Sequence, residues 1–190
     1  MNKNIEKTDI EIVDLIIKDP NNLKYLIIKY EKRLYSYINN AFFFTKDDIE
    51  DVLQDIFIKV YRNINSYDSK YKFSSWIYRI AHNEAVSILR SKQHKVGKLS
   101  LSVDKDIFQN FVSDLNIENE FESSEMVRKL TKCIEKLDKT YREVILLKYF
   151  EEKDYKEISD ILHISTGTAG SLLNRGKTKL REIFKNEKCN

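Results

Sequence analysis

The sequence predicts an all-α fold: two small helical domains joined by an acidic linker. Four glycines and one proline in 190 residues leave little material for hairpins. Apolar residues recur at helical spacing through most of the chain. A hydrophobic content of 42% with 33% charge describes a folded, water-facing protein and not a disordered one.

A capping box of Thr8 and Glu11 opens a first helix that runs through Lys18 and stops at Asp19-Pro20. The second helix is expected from about Asn22 to Asn40, with Leu23, Leu26, Ile27, Tyr30, Leu34, Tyr37 and Ile38 inward. Thr45 can cap a third from about Asp47 to Asn63, whose early acids suit the positive end of the helix dipole. Its apolar stripe is Ile49, Val52, Leu53, Ile56, Phe57 and Val60, while Asp51, Gln54 and Asp55 share the other side. A polar, tyrosine-bearing loop follows, and Ser74 or Ser75 is expected to cap a fourth helix reaching about His94. Residues 98–122 lack a sustained period and read as linker, with a turn around Ile107 to Val112. Four further helices are expected over Ser124 to Leu137, Lys139 to Glu151, Tyr155 to Leu162 and Thr166 to Phe184. Asp138 is placed to cap the second of these, and Asp154 with Glu157 to form a capping box on the third.

Several function classes are not expected. No apolar run approaches the roughly 18 residues of a membrane span, and the mixed-charge N-terminus has no signal-peptide core. Cys133 and Cys189 form no CxxC, and His82, His94 and His163 are scattered. Neither a disulfide frame, a metal site nor a cofactor is therefore expected, and a reducing cytoplasm is the default location. GxSxG, P-loop and HExxH patterns do not occur, so the chain is not expected to be an enzyme.

Charge is informative through its placement. The net value of +3 is mild. Yet Lys70 to Lys98 is basic, interrupted only by Glu84, and the C-terminal end carries Arg175, Lys177, Lys179, Arg181, Lys185 and Lys188. Between them lies an acidic stretch from Asp104 to Glu125. Two basic regions around an acidic one suit two contacts with a polyanion.

Three stretches carry chemistry. The face of Asp51, Gln54 and Asp55 is either a solvated helix surface or a docking face. On the fourth helix, Trp76, Arg79, Asn83, Ser87 and Arg90 share a narrow stripe opposite Ile77, Ile80, Ala81, Ala85, Ile88 and Leu89. Aromatics stack on bases, cations meet phosphates and an amide reads a base edge, so the stripe suits opened nucleic acid. The indole of Trp76 can equally cap a core. Tyr67, Lys70, Tyr71 and Lys72 add similar groups just before it. Finally, DYKEISDILHISTGTAGSLLNRGKTKL has the layout of a helix-turn-helix, with His163-Ile164-Ser165 as its turn. The start of the second helix, with Ser165, Thr166, Thr168, Ser171 and Asn174, would enter the major groove, and Arg175 and Lys177 would reach phosphate. On residues alone, a stand-alone DNA-binding regulator and a helical interaction module remain open.

In this order the three stretches resemble a bacterial sigma factor of the sigma-70 family, in its short extracytoplasmic-function group. DIEDVLQDIFIKVYRNI resembles the helix that binds core polymerase, and YKFSSWIYRIAHNEAVSILR the segment that melts and reads the −10 element. IEKLDKTYREVILLKYFEEKDYKEISDILHISTGTAGSLLNRGKTKLREIF resembles the −35-reading domain. The resemblance implies a σ2-like four-helix domain at 1–96, a linker at 97–123 and a σ4-like helix-turn-helix domain at 124–190. It also implies partners: core RNA polymerase through its β′ and β subunits, promoter DNA, and in some relatives an anti-sigma factor. Asp51, Gln54 and Asp55 match positions that dock on the β′ coiled coil, and Trp76 and Asn83 match positions that handle −10 bases. The loop from Ser66 to Lys72 matches the segment that receives a flipped base. The acidic linker would thread basic polymerase channels, or be a solvated tether. One segment departs from the pattern: where relatives read GTVKSRL or GTVRSRL, this chain has Gly167-Thr168-Ala169-Gly170-Ser171-Leu172-Leu173. Two basic positions thus become Gly170 and Leu172, and glycine inside a helix is expected to cost roughly 1 kcal/mol.

Overall fold

The computed structural model describes residues 7–91, 111–115 and 124–188. No β-strand forms among them. In the N-terminal half, α1 (Asp9–Lys18), α2 (Leu23–Phe42), α3 (Lys46–Asn63) and α4 (Phe73–Ser91) pack together, joined by 3-10 turns at Pro20–Asn22 and Ile64–Ser66. In the C-terminal half, α5 (Ser124–Glu135), α6 (Lys139–Ile145), α7 (Tyr155–Leu162) and α8 (Thr166–Lys188) do the same. A helical turn at 111–115 lies between them in the chain.

Local chemistry sets the helix ends. Thr8 and Glu11 cap each other at the start of α1, and Thr45 accepts from the Asp48 amide at the start of α3. Phe43 closes α2 in the left-handed region at φ 57°. The apolar stripe of α3 is buried throughout, from Ile49 to Val60. Tyr30 and Tyr37 of α2 are buried as expected. Each end so satisfied saves orphaned backbone donors or acceptors.

Three expectations need correction. Asp138 stands before α6, but its carboxylate makes no cap bond there; it accepts Lys179 Nζ at 3.0 Å instead. Neither Ser74 nor Ser75 caps α4, because both hydroxyls donate to Glu157 of α7. Their backbone position is taken by Lys72, whose carbonyl accepts from the Ser75 and Trp76 amides. The helix expected over Lys139 to Glu151 is α-helical only to Ile145 and continues as a π-helical turn, Leu146–Phe150. The extra residue in that turn rotates the chain beyond it, and Glu151 ends up buried against α2 and α4. The fourth helix is described as far as Ser91; its expected continuation to His94, and most of the linker, lie outside the described residues.

Gly176 sits where two helices pack tightly. A Cβ there would lie 3.2 Å from both Ile145 Cδ1 and Tyr141 Cβ, so glycine lets α6 and α8 approach closely. At Gly170 the nearest atom, Tyr155 Cε1, is at 3.8 Å, an ordinary contact. Leu172 is half-buried against the core.

The two halves share one apolar core and meet along a polar seam. Tyr37 of α2 donates to Glu143 Oε1 at 2.6 Å, and His82 Nδ1 of α4 lies 2.5 Å from the same oxygen. Tyr78 donates to the Glu151 carboxylate. Arg142 reaches across to the Ala41 carbonyl at 3.1 Å and lies over the Phe43 ring. Buried acids persist only where donors meet them.

Candidate promoter and polymerase interfaces

On α3, the residues of the acid-and-amide face are placed together as the spacing predicts. Asp51, Gln54 and Asp55 are all exposed, while Val52, Leu53, Ile56 and Phe57 beneath them are buried. The same face continues one and two turns on with Ile58, 44% exposed, and Tyr61, 42% exposed. Sequence reasoning missed this apolar end; Ile58 at i+4 from Gln54 and Tyr61 at i+3 from Ile58 was the available signal.

The stripe on α4 is divided. Asn83, Ser87 and Arg90 are exposed, and Trp76 and Arg79 are half-buried. The indole packs beside Tyr67 and Phe73, with ring centroids 5.5 and 5.4 Å away. One side of the indole rests on the core, and the other lines a pocket of about 180 Å³. Ser66, Tyr67, Asp68, Tyr71, Ser75 and Arg79 complete that pocket, and Asp160 of α7 reaches it from the other half. The loop walls are tied down: Tyr67 donates to the Tyr71 carbonyl at 2.6 Å, and the Lys70 amide donates to Asp68 at 3.0 Å. A second, more open groove on the other side of Trp76 is lined by Lys59, Asn63, Ile80 and Asn83. Ile80, expected in the core, is half-exposed at that groove.

Lys72, a candidate DNA contact, faces α7 in this arrangement. Its Nζ lies 3.2 Å from both Glu157 Oε2 and Asp154 Oδ2, and the hydrogen bonds it donates to Glu157 and Asp154 hold its pKa above the usual lysine range. Glu157 also accepts from Ser74 and Ser75. Burial pushes the Lys153 ammonium, which lies 4.5 Å from the centre of the Tyr78 ring, below its usual range. These seam residues were not legible as a site; Glu143 and Arg142 within the apolar run of α6 were the one visible sign.

The helix-turn-helix is formed by α7 and α8. Asp154 and Glu157 make the expected capping box. His163 is the turn residue, left-handed at φ 54°, and the turn is fastened by Ser159 Oγ donating to the Ile164 carbonyl at 2.5 Å. Thr166, Thr168, Ser171, Asn174 and Arg175 are exposed along α8. Ser165 is exposed too, but its hydroxyl is engaged as the helix cap, accepting from the Thr168 amide at 3.0 Å. Lys177 is bound to Asp114 of the turn at 111–115, Nζ to Oδ2 at 3.0 Å.

An aromatic pocket with cations on one helical unit, and a helix-turn-helix with an open recognition face on the other, define a two-part helical DNA-binding protein. The comparisons with known proteins give the family. Residues 26–95 match the model "Sigma-70 region 2", and residues 128–180 match "Sigma-70, region 4". The chain is 34% identical over 139 residues to the ECF RNA polymerase sigma factor SigW of Bacillus subtilis, covering 71% of this chain and 74% of SigW. It is 32% identical to SigM of the same organism, over 78% of this chain and 90% of SigM. With the ECF RNA polymerase sigma-E factor of Escherichia coli K12 it shares 29% identity over 90% of this chain and 91% of the relative. In fold it is similar to CnrH, solved with the cytosolic domain of CnrY, at TM-score 0.67 and 19% identity over 95% of this chain and 99% of that one. The sigma factor RpoE of Bartonella quintana, solved with the anti-sigma factor NepR, aligns at TM-score 0.62 and 20% identity over 85% and 96%.

The chain belongs to the sigma-70 family, in its extracytoplasmic-function group, with the σ2 and σ4 domains present. It is a promoter-recognition subunit of RNA polymerase. Among the described residues no helix is long and apolar enough to cross a membrane.

Proposed function

We propose that this chain acts in the cytoplasm as a non-catalytic promoter-specificity subunit, with a σ2 domain at 1–96, a linker at 97–123 and a σ4 domain at 124–190. Asp51, Gln54 and Asp55 grip the β′ coiled coil of core polymerase by charge-assisted bonds to its basic side chains. Trp76, Tyr67 and Arg79 receive an extruded −10 base, with Lys70, Lys72, Asn83, Ser87 and Arg90 along the strand. Extrusion costs a few kcal/mol, and stacking offsets it at about 1–3 kcal/mol per base. In σ4, Thr166, Thr168, Ser171 and Asn174 face base edges, and Arg175 and Lys177 face phosphates. Ser165 positions the start of α8 as its cap.

The single observation carrying this reading is the pocket beside Trp76: an aromatic and a guanidinium group facing a cavity walled by a tied-down loop. Asp160 of the σ4 half reaches that same cavity, so the packed arrangement brings σ4 up to the place where a base would sit. The two promoter elements are centred about 25 base pairs apart, or roughly 85 Å at about 3.4 Å per pair. A compact chain of this length has a radius of gyration of about 16 Å. The halves must therefore separate to engage both elements together. A partner that holds them together would inhibit, and an anti-sigma factor is the partner class that fits; NepR is described as one for the Bartonella sigma factor.

Run-off transcription with core polymerase tests the reading. Transcripts should appear from a cognate promoter only when this protein is added. The D51A/Q54A/D55A variant should retain its helical circular dichroism and lose capture of core enzyme. Tight capture by that variant would reject the assignment of the face.

A further inference from the structure

The turn at 111–115 is docked on the σ4 domain with the character of a ligand. Phe111, Val112 and Leu115 are fully buried. The Phe111 ring lies 4.6 Å from that of Tyr149 and 5.4 Å from that of Phe150, centre to centre. These two aromatics come from the π-helical turn. Polar contacts complete the docking. Asp114 accepts from the Tyr149 hydroxyl and from Lys177 Nζ, and Arg181 Nε donates to the Leu115 carbonyl at 2.9 Å. The bond from Tyr149, and then Lys177, hold the Asp114 carboxyl below the usual carboxylate range, so it is an anion at neutral pH.

We propose that this linker turn is an intramolecular occupant of the cationic end of the recognition helix, and that Asp114 and a DNA phosphate compete for Lys177. Both are oxyanions, and both would be received by the same ammonium. The inference rests on reading α8 as the DNA-facing helix. It gives the acidic linker a role on σ4 itself: the domain carries its own competitor, and phosphate contact by Lys177 requires Asp114 to let go. The aromatic anchors keep that competitor close after the ion pair breaks, at a high effective concentration.

Fluorescence anisotropy of the full chain with a labelled mixed-sequence duplex tests this, since phosphate contacts are independent of sequence. Removing a half-exposed ion pair of this kind should tighten D114N by about 2–5-fold. Its log–log salt slope should steepen by up to about 1. K177A should bind more weakly than wild type, and in K177A/D114N the gain from D114N should vanish. Equal binding by wild type and D114N, with K177A weakened, overturns the competition and leaves the DNA-facing reading of α8 intact. A gain from D114N that persists without Lys177 also overturns it. If K177A binds as wild type does, the phosphate role of Lys177 fails, and the competition with it. Thermal unfolding of each variant verifies that the fold is kept.

Discussion

The Tyr37 hydroxyl donates to Glu143 at 2.6 Å, joining residues 106 apart in the chain and tying the σ2 half to the σ4 half. Glu143 is 4% exposed, and His82 faces the same oxygen. Replacing Glu143 by Ala strands the Tyr37 hydroxyl in the core, at about 1–3 kcal/mol. The expected result for E143A is a larger radius of gyration by small-angle scattering together with a lower urea midpoint. A chain that stays as compact as wild type would show that apolar packing alone holds the halves.

Glu151 makes stability depend on pH in an unusual direction. Burial raises its pKa above 4.5, outweighing the bond from Tyr78 and the nearby Arg33. A raised folded value means its contribution is fully present below the unfolded pKa and is lost as pH rises through the folded one. The ionised form is therefore the costlier one to bury. E151Q should be at least as stable as wild type at pH 7 and converge with it in acid. E151A, which removes the acceptor of the buried Tyr78 hydroxyl, should lose about 1–3 kcal/mol. Urea titrations at several pH values read both.

Asp154 runs the other way. The Glu157 amide at the start of α7, then Lys72, hold its carboxyl below 3.8. Its contribution is present above the unfolded value and is lost as pH falls through the lower folded one. D154A should cost about 1 kcal/mol at neutral pH, as cap removals do, and the difference should disappear in strong acid. A deficit that is constant with pH would mean the residue acts by something other than its charge.

Two of the three glycines in the recognition helix, Gly170 and Gly176, should respond oppositely to alanine. Relief of helix entropy favours alanine by roughly 1 kcal/mol at either site. G170A meets only an ordinary contact with Tyr155 and should be stabilised. At Gly176 the new Cβ presses Tyr141 Cβ, next to backbone, at 3.2 Å. Overpacking costs about 1–3 kcal/mol, so G176A should be destabilised. Thermal unfolding of the pair decides.

Ile58 and Tyr61 extend the α3 face of Asp51, Gln54 and Asp55, proposed above to meet core polymerase, with exposed apolar area. I58A and Y61A should each weaken capture of core enzyme by several-fold, in line with about 1–2 kcal/mol for a buried apolar contact, and leave thermal stability nearly unchanged. Unaltered capture would confine the interface to its polar end.

Much of the architecture was readable before any coordinates. The stripe of α3 was legible because its six apolar residues and three polar ones repeat at 3.6, and all nine fall where that period puts them. The capping boxes at Thr8 and Asp154 were legible because a cap needs only its neighbours three residues on. Asp138 misled for the same reason: its local position suits a cap, but Lys179, 41 residues later, takes the carboxylate. Trp76 lay between two readings because its periodicity could not show how much of the indole Tyr67 and Phe73 would cover.

What the sequence determined by itself was the set of helices, the capping boxes at Thr8 and Asp154, and the exposed faces of α3 and α8, since these depend on spacings of three or four residues. Only the tertiary structure decided that Glu143, Glu151 and Glu157 close a seam with Tyr37, Tyr78 and Lys72, and that Asp114 occupies Lys177. Those pairings join residues tens of positions apart, and no local period encodes them. They arise when the apolar faces of two halves merge into one core and leave each buried acid to meet whichever donor lies opposite.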